Sequence, residues 1–415
     1  MNTKKESILI IGFNTRPLAY SLNKANYEVY VVDFFGDLDL EPHVKDSFII
    51  TKELAASYES IKSKYQEFLV HYTFKILEKY PRIQNLIIAS GLDDYFEERN
   101  KINNEIKKRD YKMKNLNNDL DVLQKSRNIK VIYLLLREMG YKVPLSYDFS
   151  ELNVIQPTLS YPFILKKKKS SGGISVYKVD TREHLSFLIK KLEIYGHNSS
   201  DWLIQEYIKG IPVSCTTISN GKESKVISIN RQIIGLKFLN PPKPFMYCGN
   251  IVPDNISKNT NKLISEISIK LANKLGLKGI NGFDFVLRDN YPFLMEINPR
   301  IPGSIRASEE SMNINLLDLH VKSFHQNMWN RIVKTIDNCV FNIYVTKLIF
   351  FAPKEIPVDK LKRINKLEFV RDKTNPIRSI IKGEPVCSIL FSANSFSSSF
   401  FGGLKIAHRI KEIVS

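Results

Sequence analysis

The sequence predicts an α/β protein that opens on a parallel sheet and continues into sheets of the α+β kind. Three observations carry that expectation. Residues 7–34 read strand, helix, strand at the spacing of a βαβ unit. Residues 161–252 hold several short runs of strand character separated by glycine- and proline-bearing turns. Residues 279–303, GINGFDFVLRDNYPFLMEINPRIPG, read as a hairpin with acids set inside apolar strands. With 415 residues, 43% hydrophobic and 11% aromatic, the chain is long enough for two or three well-buried domains.

Charge and cysteine usage bound the function before any motif does. Lys and Arg outnumber Asp and Glu by 61 to 43, and the net charge of +18 would attract nucleotides, nucleic acid or an anionic membrane surface. The basic residues are dispersed, with no zinc-finger spacing, heptad array or aromatic RNA-binding signature, so no dedicated nucleic-acid module is expected. The four cysteines (Cys215, Cys248, Cys339 and Cys387) stand far apart, as reduced thiols of a cytoplasmic protein do. The first apolar run, residues 8–11, falls well short of the roughly 20 residues of a membrane span, so a soluble, unprocessed chain with no membrane partner is expected.

Taken in order, residues 7–13 form an apolar strand, residues 18–25 a helix pattern, and residues 28–34 a second buried strand. No G-x-G-x-x-G accompanies the first strand, which argues against a dinucleotide site. A further strand at 85–90 runs into Gly91, Leu92, Asp93 and Asp94, which place polar groups at the same sheet edge. Residues 97–123 are very polar and read as a solvated helix or insertion marking a domain boundary. Lys125, Ser126, Arg127 and Asn128 then precede an amphipathic helix stopped by Gly140 and Pro144.

YPFILKKKK, residues 161–169, is a strand whose polar end feeds Ser170, Ser171, Gly172 and Gly173. Glycines let backbone amides approach a phosphate, and a lysine supplies a point charge beside the same oxygens; the bland alternative is a flexible hairpin tip. WLIQEYIKG, residues 202–210, is a strand ending in a turn. Strands are expected at 213–218, 225–234 and 245–252, with Arg231 either a fork for carboxylate or phosphate or a solvated edge arginine. The proline-rich loop 241–253 could cover a pocket, and Cys248 has no histidine in a suggestive relation to act as a nucleophile. A helix at 261–275, ending before Gly276, delivers the chain to the 279–303 hairpin.

If the hairpin turn is centred near Asn290, Asp284 and Glu296 face each other, with Asn298 and Arg300 on the face of Glu296. Two carboxylates side by side in a half-buried sheet repel unless a cation holds them, and magnesium suits three oxygen ligands that share it with phosphate. The alternative is an edge hairpin with solvated acids. Beyond it come a helix at 316–324, strands at 340–351 and 385–390, and a last helix at 404–413.

D-F-V followed by E-I-N-P-R at this spacing resembles the metal-binding signature of the ATP-grasp superfamily, in the carboxylate-amine ligase and archaeal carboligase branch related to biotin carboxylase and carbamoyl-phosphate synthetase. The resemblance implies a Rossmann-like pre-ATP-grasp domain over 1–120, an ATP-grasp domain of two α+β subdomains over 121–330, and a small C-terminal α+β region over 331–415. It implies ATP and magnesium, or manganese in its place, with Asp284, Glu296 and Asn298 as metal ligands. Lys125, Lys166, Ser170, Ser171, Gly172 and Gly173 would address phosphate, and Gln205, Glu206, Tyr207 and Ile208 would span the adenine-reading linker. Lys166, Arg231 and Arg300 would act on substrate or transferred phosphate, and Asn14, Thr15 and Arg16 would hold substrate or else cap the first helix. The chain departs from the pattern at Lys167, where proline is usual, and at Pro212, where a ribose-binding glutamate is usual. The implied activity is an ATP-dependent ligase that phosphorylates a carboxylate and couples it to an amine, with a homodimer allowed. A bicarbonate-activating enzyme like biotin carboxylase and a non-catalytic nucleotide-binding protein are the rival readings.

Overall fold

The computed structural model describes residues 5–55, 58–108, 113–155, 160–170, 172–194 and 198–415. Three sheets organise them. The first is five-stranded and parallel: β1 (Ser7–Gly12), β2 (Glu28–Asp33), β3 (Asp46–Ile49), β4 (Asn85–Ile88) and β5 (Lys114–Asn115), in the order β3-β2-β1-β4-β5. Every residue of β1 and β4 is buried, as a parallel strand covered on both faces requires. The chain reverses its direction of winding between β1 and β4, and the crevice beyond their carboxyl ends is where open α/β sheets take ligand.

Within residues 97–123, the described parts (97–108 and 113–123) are more regular than their polarity predicts. They hold the helix Phe96–Lys108, whose Arg99, Ile102 and Ile106 form one narrow buried face, and then the edge strand β5. Three buried positions in thirteen leave the helix polar on every other side, which is why composition reads it as solvated.

The second sheet is antiparallel and small: β6 (Ser146–Asp148), β7 (Phe163–Lys167), β8 (Val176–Val179) and β9 (Trp202–Glu206), in the order β6-β9-β7-β8. The third has eight strands. They are β10 (Ile211–Asn220), β11 (Ser224–Ile234), β12 (Tyr247–Val252), β13 (Lys278–Arg288), β14 (Tyr291–Asn298), β15 (Tyr344–Phe351), β16 (Val370–Arg371) and β17 (Pro385–Ala393). Their order is β14-β13-β10-β11-β12-β15-β17-β16, so the C-terminal strands continue the sheet that begins with the acid-bearing hairpin.

Two helices brace this arrangement, each with legible caps. Asn128 caps Ile129–Glu138 through a bond from the Val131 N–H, and Ser257 caps Lys258–Leu275, which Gly276 ends in the left-handed conformation. Their apolar faces meet in a core of Ile132, Leu136, Ile264, Ile267 and Leu271 against Phe283, Phe285 and Leu294. A separate core joins Ile8, Ile10 and Leu22 of the parallel sheet to Ile280, Ile301, Leu316 and Trp329, so the sheet edge is packed directly on the segment that follows the hairpin. Among the described residues no helix is long and apolar enough to cross a membrane.

Candidate nucleotide and metal site

The hairpin β13–β14 does bring the acids face to face, for a reason the sequence hid. Asp289 and Asn290, both at positive φ (52° and 61°), make a two-residue turn, and Arg288 pairs with Tyr291. That register alone would set Asp284 opposite Met295. A bulge leaves Met295 unpaired between Leu294 and Glu296, and the extra residue moves Glu296 into place opposite Asp284.

The two acids are held differently. Asp284 accepts from the Asn298 side-chain amide at 2.8 Å and from that of Gln232 at 2.8 Å. Burial, and then the Glu296 charge, push its carboxyl up to about 7 against the opposing pull of Arg300. Glu296 lies in the field of two cations. Lys166 donates to the carbonyl of the bulge residue Met295 at 3.5 Å, and burial lowers its ammonium to about 8 although Glu296 favours the charge. Burial would also lower the Arg127 guanidinium, but Glu296, Asp94 and Asp93 outweigh it and raise it.

Arg127 and Arg300 reach from this half of the molecule to the end of β4. Arg127 makes a fork with Asp94 at 2.8 and 2.9 Å and donates to the Ser170 carbonyl at 3.0 Å. Arg300 donates to Asp93 at 2.7 Å. Burial alone would raise Asp93, yet Arg300, Arg127 and Arg99 together hold it below the usual carboxylate range.

These residues line a cleft of about 630 Å³ between the small sheet and the eight-stranded sheet, which takes in Asp284, Glu296, Asn298, Arg300 and Lys166 together. Ser170, Gly172 and Gly173 form one lip. Both glycines have positive φ (66° and 78°), and a Cβ on Gly173 would stand 1.9 Å from the Phe245 carbonyl oxygen, so only glycine fits there. Tyr247 donates its N–H to the Gly172 carbonyl at 3.2 Å, tying this lip to β12. Ser171 lies outside the described residues.

Glu206, Tyr207 and Ile208 line the opposite wall, where residues 207–209 leave the strand ladder. Gln205 lines the cleft too, and its buried side chain donates to the Tyr133 hydroxyl at 2.8 Å and the Ser146 hydroxyl at 3.1 Å, which locks the helix Ile129–Glu138 to the small sheet. Glu206 accepts from Arg288 at 2.8 Å and from the Leu145 N–H at 3.2 Å.

Two residues expected at the site are not brought there. Lys125 is exposed and pairs with Asp121 at 3.9 Å; Arg127, two residues on and therefore on the other side of the helix Leu120–Arg127, enters the cleft instead. Arg231 forks onto Asp254 at 2.9 and 3.1 Å and lies over the Phe396 ring, while its neighbour Gln232 faces Asp284. Alternate residues of a strand point to opposite faces, so N-R-Q gives the site Gln232 and not Arg231. Thr15 and Arg16 have structural partners, Asp33 for the former and Asp372 for the latter, whereas Asn14 opens on a neighbouring cavity.

The donor set fits a hard cation that keeps phosphate and water in its shell. Two facing carboxylates, one of them pushed up to about 7 by burial and by the other, are relieved by a divalent charge, and the Asn298 amide can turn its oxygen to the same point. Magnesium bound by so few protein ligands keeps phosphate oxygens and water in its shell, and among the described residues no group of three His, Cys, Asp or Glu could hold a metal.

Residues 130–304 match the family described as the ATP-grasp domain. An uncharacterized protein of Methanocaldococcus jannaschii is 27% identical over 397 residues, covering 93% of this chain and 88% of that one. The D-alanine–D-alanine ligase of Flavobacterium psychrophilum is 29% identical over 157 residues, 38% of this chain, and the match spans only about half (47%) of that ligase. Among solved structures, an L-amino acid ligase from Bacillus licheniformis superposes with a TM-score of 0.68 at 16% identity, covering 98% of both chains. A biotin carboxylase from Campylobacter jejuni superposes with a TM-score of 0.69 at 14% identity over 96% of this chain and 89% of its own. At these identities the superpositions speak for the fold.

Proposed function

We propose that this chain, an ATP-grasp protein by its domain match and its fold, is an ATP-dependent ligase that activates a carboxylate as an acylphosphate and joins it to an amine, releasing ADP and phosphate. The observation that carries the reading is the pair Asp284 and Glu296, set face to face by the bulge on the floor of a cleft that Lys166, Arg127 and the glycine lip surround.

Each residue has a part that follows from its position. The glycine lip would offer backbone N–H groups to a phosphate, and Lys166, still mostly protonated at neutral pH, would supply a point charge in the same cleft. Tyr207 and Ile208 present unladdered backbone to a flat heterocycle, with apolar side chains on the cleft walls to sandwich it. Asp284, Glu296 and Asn298 would hold the divalent ion, which supplies neutralisation of phosphate charge when bound. Arg300, anchored by Asp93, keeps a guanidinium at the wall shared with a second cavity, where it can meet a carboxylate on its way to the phosphate. A carboxylate oxygen then bonds to the terminal phosphorus of ATP as the bond to ADP breaks. The amine next attacks the carboxyl carbon, loses a proton, and phosphate leaves. Phosphoryl transfer of this kind asks for positioning and charge, and the buried thiol Cys248, pushed up by burial, has no part in it.

Glu296→Gln tests the reading. The substitution removes one charge from the pair and leaves the strand intact, so ATP consumption should fall on the order of 100-fold or more while the protein stays folded and adenosine still binds. A folded Glu296→Gln protein with full turnover overturns the assignment.

A further inference from the structure

Beyond strand β4 the chain turns through Gly91, Leu92, Asp93 and Asp94 before the helix Phe96–Lys108 begins. The buried Arg99 of that helix donates to the Leu92 carbonyl at 2.7 Å and so holds the turn in place. Its two acids each meet an arginine, Asp93 that of Arg300 and Asp94 that of Arg127. Arg127 lines the nucleotide cleft, and Asp94 does not.

The Arg127 guanidinium is occupied by protein acceptors. Two bonds go to Asp94 at 2.8 and 2.9 Å, one to the Ser170 carbonyl at 3.0 Å, and a longer one to the Ile297 carbonyl at 3.4 Å. A guanidinium has five N–H donors, so at most one is left for a phosphate. Ser170 opens the glycine lip, and Ile297 lies between Glu296 and Asn298. One side chain therefore joins the end of the parallel sheet to the lip and to the acid-bearing hairpin. The exposed Lys169 adds a second tether on the same side, its ammonium 5.5 Å from the centre of the Phe96 ring. At its far end the lip is held by the Tyr247 N–H on the Gly172 carbonyl and by the close approach of Gly173 to the Phe245 carbonyl. The near end thus depends on a carboxylate that stands outside the cleft.

We propose that Asp94 is a positioning residue for the nucleotide phosphates: by forking onto Arg127 it fixes the Ser170 carbonyl, and with it the backbone of the glycine lip. The same turn sets Arg300 through Asp93, so the parallel sheet governs the lip and the Arg300 wall together. The assignment rests on the reading of the cleft as a nucleotide site.

Plain electrostatics and positioning predict opposite signs for one substitution. Asp94→Asn removes a negative charge near the cleft, and by Coulomb attraction alone MgATP should then bind more tightly. If Asp94 acts by holding Arg127, MgATP should instead bind about tenfold more weakly, as loss of a charge-assisted fork implies, while adenosine binds as before. Arg127→Lys keeps the charge and cannot span Asp94 and Ser170 together. It should weaken MgATP to a similar extent, and the double variant should be no worse than the weaker single one. In the nucleotide-free protein, both single variants should speed amide exchange at Tyr247 and Lys167, whose N–H groups are bonded to the Gly172 and Ser175 carbonyls. Tighter or unchanged MgATP binding by folded Asp94→Asn, full MgATP binding by Arg127→Lys, or an equal loss for adenosine overturns the proposal. If Asp94→Asn does not fold, the Arg127→Lys results decide it. A wild-type chain that binds neither MgATP nor adenosine overturns the nucleotide reading, whereas unchanged exchange in the variants overturns the hold of Asp94 on the lip whatever the cleft binds.

Discussion

At the scale of single residues, the site is defined by charges that the fold sets in conflict. Asp284 is pushed up to about 7 because it is buried and faces Glu296. A carboxyl whose folded value lies above its unfolded one contributes stability that is fully present below the ordinary carboxylate range and is lost as pH rises through about 7. Without metal, the melting temperature of the wild type should therefore fall from pH 5 toward pH 8 more steeply than that of Asp284→Asn. Other buried acids such as Asp33 and Glu309 share the direction, and the difference between the two proteins isolates Asp284. Over the same range magnesium should bind more tightly as pH rises, because the ion needs the ionised form. Parallel melting profiles for the two proteins would show that Asp284 does not feel its partner.

At the scale of elements, the hairpin and its acids were legible because apolar runs broken by single carboxylates, with Asp289 and Asn290 between them, leave few other readings. The bulge at Met295 was not, since nothing in YPFLMEIN marks one residue as extra. Arg231 and Lys125 follow from the resemblance by their places in the chain, and strand alternation and helix phase give those places in the site to Gln232 and Arg127. Phase depends on where an element starts, and a one-residue uncertainty reverses a strand face. The edge strand β5, with two residues, is set by the sheet it joins and not by its own pattern. The glycine lip was legible in composition, and the structure adds the reason for glycine at each place. Alanine at Gly172 meets open space and carries only the left-handed strain of roughly 1–2 kcal/mol, whereas alanine at Gly173 also meets the Phe245 carbonyl at 1.9 Å. Gly173→Ala should therefore weaken MgATP binding about tenfold or more with adenosine binding nearly unchanged, and Gly172→Ala should do less. Equal effects of the two on MgATP would mean that the lip does not touch phosphate.

At the scale of the whole molecule, three sheets converge on two connected cavities, and the connections are physical ones. The core that runs from Ile8 to Trp329 fixes the parallel sheet against the segment after Arg300, and the Asp93 and Asp94 pairs fix it to Arg300 and Arg127. The net charge of +18 supplies a favourable field for a nucleotide approaching this cleft. The proposed reaction passes a phosphoryl group from ATP in the first cavity to a carboxylate that Arg300 meets. That claim is tested most directly by oxygen transfer. With an acid that supports turnover labelled with heavy oxygen in its carboxylate, and with the nucleotide products identified in the same sample, one labelled oxygen should appear in the released phosphate for each ADP formed. Label that stays wholly in the product, or release of AMP and pyrophosphate in place of ADP, would contradict the account.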